Sequence, residues 1–162
     1  MPTGAIMKSH AIFDEPFWRA DGLTGQSAAP GSIAPVTIDA CNHDQRAGVP
    51  AVIAEGPLAR KLTTMDAVSR REAVLAELAK RFGAKTKSPL DYIEQDWTVE
   101  GYSRGSMISH SPPGVLTQLG HALRAPCGRI HWAGTESSAV MYGFVDGAIR
   151  SGERAASEVL AA

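Results

Sequence analysis

The chain has 162 residues, 44% of them hydrophobic, and a formal net charge of −1, enough for one modest core. That balance offers no field to recruit nucleic acid or a membrane surface, and no apolar run is long enough to cross a bilayer. Cys41 and Cys127 fit no metal or redox spacing and read as two reduced thiols of a cytoplasmic protein.

Gly4 to Phe13 reads as a strand, with Ile6, Lys8, His10 and Ile12 alternating against Ala5, Met7, Ser9, Ala11 and Phe13. Pro16 ends it, because proline cannot donate to a ladder. Ala20 to Pro35 is rich in Gly, Ser, Ala and Pro and reads as loop with room for one short strand. Pro35 to Ala40 and Val49 to Glu55 are strand candidates, joined through the polar Asn42–Gly48 connection. Asp66 to Phe82 is the clearest helix. Thr64 is placed to cap it, Gly83 stops it, and Val68, Leu75, Leu78, Ala79 and Phe82 share one side. Pro89 to Thr98 suggests a strand ending at Trp97. An irregular stretch from Gly101 closes at Pro112-Pro113-Gly114, and Val115 to Leu123 reads as a short helix. Arg129 to Ala133 reads as a strand, and the last helix spans about Tyr142 to Leu160. Strands and helices without a βαβ rhythm make the fold class α+β.

The last helix holds Gly143, Gly147 and Gly152. Each interior glycine costs about 1 kcal/mol relative to alanine. The reason is either close packing against another backbone or close approach of a flat ligand. Gly134-Thr135-Glu136, just before, offers a glycine, a hydroxyl and a carboxylate suited to a polyol chain. His10, His43, His110, His121 and His131 form no ligand spacing, so no metal site is expected. Arg70-Arg71 reads as a charged helix face rather than a nucleic-acid patch.

Arg129-Ile-His-Trp-Ala-Gly-Thr-Glu136, Met141-Tyr-Gly-Phe-Val-Asp-Gly147 and Ser151-Gly-Glu-Arg-Ala-Ala156 together resemble the C-terminal flavin-binding segment of the flavin-containing amine oxidases, the monoamine oxidase family. Further likeness lies in Met1 to Arg19, in Thr63 to Gly83, in Asp96-Trp97 followed by Tyr102-Ser-Arg-Gly105, and in the Pro-Pro-Gly loop. The resemblance implies FAD as cofactor and an amine as substrate. A neutral amine would lose hydride to the flavin, the imine would hydrolyse, and oxygen would become hydrogen peroxide. It places Lys8, framed by Pro2, Gly4, Phe17 and Trp18, as the catalytic lysine that holds a water near the flavin. Trp97 would pack by the flavin ring. Gly134, Thr135 and Glu136 would contact the cofactor, as would Gly143, Phe144 and Val145 at the helix start. Ser106 stands where some members carry the cysteine that links flavin covalently, so FAD is expected to bind non-covalently. Met107 and Phe144 stand at the two substrate-pocket walls that are commonly both aromatic.

By the same likeness, residues 1–100 are part of a mixed-sheet substrate domain, with its helix at 65–82. Residues 101–162 are the C-terminal flavin-ring segment, the last strand and helix of an FAD-binding domain. The G-x-G-x-x-G turn that holds the pyrophosphate, and with it the N-terminal Rossmann half, is absent. The expected protein is therefore the C-terminal portion of an amine oxidase, inactive without that half. Three other readings stand beside it. One is the ring-side subunit of a split oxidase with an N-terminal FAD-binding partner. Another is a truncated or repurposed interaction module whose exposed apolar surface a homo-oligomer would cover. The third is a related oxidase acting on a polyamine or amino acid, for which Arg104 is the one candidate to meet a carboxylate.

Overall fold

Alternation along the first strand decides which way the sheet faces. In the computed structural model, which describes residues 3–44 and 46–161 apart from the side chains of Met107 and Ile108, β1 (Thr3–Gly4) is followed by β2 (Ile6–Ile12). Ala5, Met7, Ser9, Ala11 and Phe13 are buried, while Lys8, His10 and Ile12 are half-buried on the other side. Short strands β3 (Ser27–Ala28), β4 (Val36–Asp39) and β5 (Pro50–Glu55) form an antiparallel meander. β2 pairs with β5, and β6 (Asp91–Asp96) pairs with β2, giving the antiparallel order β3-β4-β5-β2-β6.

Helix α1 (Gly56–Thr63) and helix α2 (Ala67–Phe82) belong to the same body. The helix-side core joins Ala11, Phe13, Trp18 and Val52 to Val74, Leu75, Leu78 and Phe82. A second cluster joins Ala5, Met7 and Ala54 to Ala59 and Leu62 of α1. Fully burying side chains of this size contributes about 1.5–3 kcal/mol each. Asp66 caps α2, accepting from Ser69 N at 2.9 Å, where Thr64 was expected. Asp66 is the residue directly before the helix, whereas the Thr64 hydroxyl donates back to Lys61 O. Val68 is 67% exposed because it borders an open cavity, and Val74 takes its place in the core. Helix α1 was not anticipated. Pro57 sits in its first turn, where no N–H is needed.

Contacts group the chain into two compact units, Ala5–Ser106 and Met107–Ala162 with Met1–Gly4. The second unit holds most of β7 (Ser106–Ser109), which pairs with β1 inside a stretch expected to be irregular. It also holds α3 (Val115–Leu119) and α4 (Val145–Leu160). Arg129–Ala133 is not a strand. It makes one isolated bridge, Cys127 to Ile130, and no ladder runs beside it among the described residues. The last helix begins at Val145, because Gly143 at φ +86° breaks the helical run that Tyr142 was expected to start. Among the described residues, no helix is long and apolar enough to cross a membrane.

Asp39, at the end of β4, carries a pH dependence. Burial pushes its carboxyl up, but hydrogen bonds from Cys41 and from Arg19 at 2.7 Å outweigh it and bring the value from 3.8 to about 2. A depressed folded value means the stabilisation is complete above about pH 4 and lost as pH falls through about 2. Asp39→Asn is therefore expected to flatten the thermal midpoint against pH between about 4 and 2. If the wild-type slope persists in that variant, the limb belongs to another carboxylate.

Candidate functional site

On the side of the sheet away from α2, one rung runs Val36–Ile53–Lys8–Gln95 and the next runs Ile38–Ala51–His10–Ile93. Val36 and Ile38 are each 41% exposed and Ile93 is 53% exposed, so this face is open within its unit and mostly apolar, with Lys8, His10 and Gln95 set into it. Lys8 stands half-buried in its middle. Its ammonium makes no ion pair or hydrogen bond among the described residues. An unpaired ammonium on an apolar surface is costly unless something polar meets it there.

The chain brings Trp97 and Ser106 to the same end of that unit. Trp97 N donates to Ile6 O at 3.2 Å, and Trp97 O accepts from Gly105 N at 2.7 Å, which sets Ser106 beside it in sequence. Asp96 fixes the turn after Trp97 by accepting from Thr98 N at 2.8 Å and from the Thr63 hydroxyl at 2.5 Å. Phe17 and Trp18 do not frame Lys8. Trp18 is fully buried in the helix-side core, edge-on to Phe13 and Phe17. Pro2 lies outside the described residues. A cavity of about 410 Å³ opens between α2 and β6 beside Arg71, Leu75, Tyr92 and Glu94, and none of the expected site residues borders it. Arg104 is exposed, with its guanidinium Nε donating to Gly101 O at 3.3 Å.

The second unit gathers the remaining expected residues, apart from the Met107 side chain, which lies outside the described residues. The Thr135 hydroxyl accepts from Gly143 N at 2.6 Å and donates to Phe144 O at 3.1 Å. It thereby draws the start of α4 to the Gly134–Glu136 turn, and its hydroxyl is occupied in doing so. Phe144 is the N-cap residue and offers no side-chain cap, so the first N–H groups of α4 keep their donor capacity. Phe144 and Val145 are exposed there. Glu136 borders two cavities, of about 310 and 320 Å³.

Two of the three helix glycines have distinct structural reasons. A Cβ on Gly147 would collide with the Met141 carbonyl, so it serves close backbone packing. Gly143 is required by its positive φ. Gly152 faces open space within the unit. Sequence reasoning missed the residues that hold this turn in place. Ser151, 2% exposed, accepts from Gly134 N at 2.8 Å, and Arg154 donates to Trp132 O at 2.7 Å and to Glu158 at 2.5 Å. His131 meets Glu158 at 3.0 Å, a satisfied structural histidine. The only sequence signal was the Arg154/Glu158 spacing of four along the helix.

The sequence pattern of the family described as flavin containing amine oxidoreductase matches residues 1–160. An L-amino acid dehydrogenase of Synechocystis sp. is 40% identical over 160 residues, covering 99% of this chain and 34% of its own length. Flavin-containing amine oxidase B of Bos taurus is 37% identical over 163 residues, covering 99% of this chain and 31% of its own. The solved structure of wild-type putrescine oxidase bound to putrescine is similar with a TM-score of 0.90 at 32% identity, covering 97% of this chain and 35% of that one. The chain thus spans about a third of the length of the relatives it matches.

Proposed function

The chain belongs to the flavin-containing amine oxidoreductase family, and on that premise we propose that it is the ring-side, C-terminal portion of an FAD-dependent amine oxidase. The observation that carries the reading is Lys8, an unpaired, half-buried ammonium centred on an open apolar sheet face. FAD, when bound, supplies two-electron oxidation at the amine α-carbon and delivers the electrons to oxygen as hydrogen peroxide.

The donor set suits the cofactor. The uncapped start of α4 offers N–H groups and the positive end of a helix dipole to an electron-rich ring edge. Glu136, next to the Gly134 turn, offers a carboxylate to hydroxyl groups. Ser106 has no thiol for covalent attachment, which favours non-covalent binding. Trp97 supplies a flat apolar wall, and Phe144 an aromatic face for an amine. Lys8 Nζ holds a water or a proton beside Ile53 on this face. The two free thiols favour a cytoplasmic setting.

We further infer dependence on a dinucleotide-binding half. Ile130, Trp132, Ile149 and Leu160 are exposed, an apolar surface that suits cover by further polypeptide. The test is visible absorption after incubation with FAD and desalting, with and without a polypeptide carrying that half. Retained flavin bands near roughly 370 and 450 nm, bleached anaerobically by an amine, are the expected result with the half present. No retained flavin under either condition would overturn the proposal in favour of an interaction module.

A further inference from the structure

We propose that the second unit carries a separate site for one phosphate-class oxyanion, in the pocket built by Arg124, Arg150 and Arg154 between α4 and the turn at Ser137–Ser138. The pocket has a volume of about 130 Å³, and its wall is made of these three arginines, Ser137, Ser138 and Ser151, and the apolar Ala139 and Val140, with no carboxylate. A water takes about 30 Å³ in the liquid, so the space suits an ion of a few heavy atoms. All of its residues lie in Met107–Ala162.

The guanidiniums are held from behind. Arg154 is fixed by Trp132 O and Glu158. Arg124 donates from Nε to Ser137 O at 3.1 Å, and Arg150 donates from Nε to Asp146 at 2.7 Å. The terminal nitrogens of Arg124 and Arg150 have no acceptor among the described residues. Each therefore presents an open edge to an oxyanion, with its plane already oriented. Ser137 and Ser151 form a buried floor whose hydroxyls are engaged, with Ser137 donating to Gly134 O and Ser151 to Ala148 O.

The charges are unevenly paired. Asp146 pairs with Arg150, on which Glu153 also acts, and Glu158 pairs with Arg154, whereas Arg124 makes no ion pair with a carboxylate among the described residues and is the cation left open at the pocket. Three guanidiniums around one small volume favour an anion with oxygens in several directions over a planar carboxylate. The site does not depend on the flavin reading.

The test is the thermal midpoint of the full chain against inorganic phosphate, with chloride and acetate at matched ionic strength. A saturable rise with phosphate alone is expected. Arg150→Gln should raise the half-saturating phosphate concentration about tenfold, the usual cost of a charge-assisted hydrogen bond. Asp146→Asn, which releases Arg150 and removes a repelling charge, should lower it. The Asp146–Arg150 pair is exposed, so neither change should move the phosphate-free midpoint by more than about 2 °C. An equal response to acetate, no phosphate-specific rise, or a rise unchanged in both variants would overturn the proposal. So would a rise abolished by saturating FAD, which would make the pocket part of the cofactor site.

Discussion

Arg70→Ala is expected to destabilise the Ala5–Ser106 unit by about 3 kcal/mol, the lower end of the cost of breaking a buried ion pair on one side, because this pair is mostly but not fully buried. Arg70 is one of two arginines expected to form a solvated helix face, yet its side chain is only 14% exposed and that of Glu94 is 19% exposed. Its Nε lies 3.0 Å from both Glu94 oxygens, and its terminal nitrogens reach Glu94, Leu62 O at 3.0 Å and Met65 O at 2.8 Å. One side chain thus ties the end of α1, the connection to α2 and the edge strand β6. Truncation leaves the Glu94 carboxylate and the Met65 carbonyl without this donor, while Leu62 O still accepts from Met65 N at 3.0 Å. For a body of this size, a loss of that order lowers the thermal midpoint by more than about 10 °C. The double variant Arg70→Met with Glu94→Leu removes both charges and should lose much less. A midpoint drop below about 3 °C in Arg70→Ala would mean that water replaces the guanidinium at little cost.

What the sequence made legible follows from how local each signal is. The β2 alternation, the β4–β5 hairpin and the stop at Gly83 are set by neighbours in the chain, and all three appear in the structure. Arg129–Ala133 shows the opposite case. Ile130 and Trp132 alternate as in a strand, but a strand exists only against a ladder partner, and the described residues supply none. Arg70 looked like surface because periodicity carries no information about which carboxylate will stand opposite it. The site divides in the same way. Lys8 was singled out by its resemblance to a family, whereas composition alone would have left it a strand lysine on a wet face. Its setting among Val36, Ile53 and Gln95 depends on pairings across three strands. Ser151, Arg124 and Arg154 were invisible because each acts on a turn more than ten residues away.

Lys8→Met in the flavin-loaded protein is expected to lower amine-dependent turnover by at least about 100-fold, the lower end of what a positioned proton-transfer group contributes. Methionine keeps the length of the side chain and can pack against Ile53 on the neighbouring strand. Flavin uptake should be retained, and the thermal midpoint should stay within about 2 °C of wild type. The loss should fall on kcat more than on KM, because Lys8 holds a water or proton rather than the body of the substrate. Lys8→Arg should not restore the rate, since a planar, longer guanidinium does not take the place of a compact ammonium. In Lys8→Ala, a small primary amine added to the buffer should recover part of the lost rate by occupying the vacated space. Turnover within about threefold of wild type in Lys8→Met would remove Lys8 from the chemistry. The open apolar face would then be a wall for the substrate, and proton handling would rest with water.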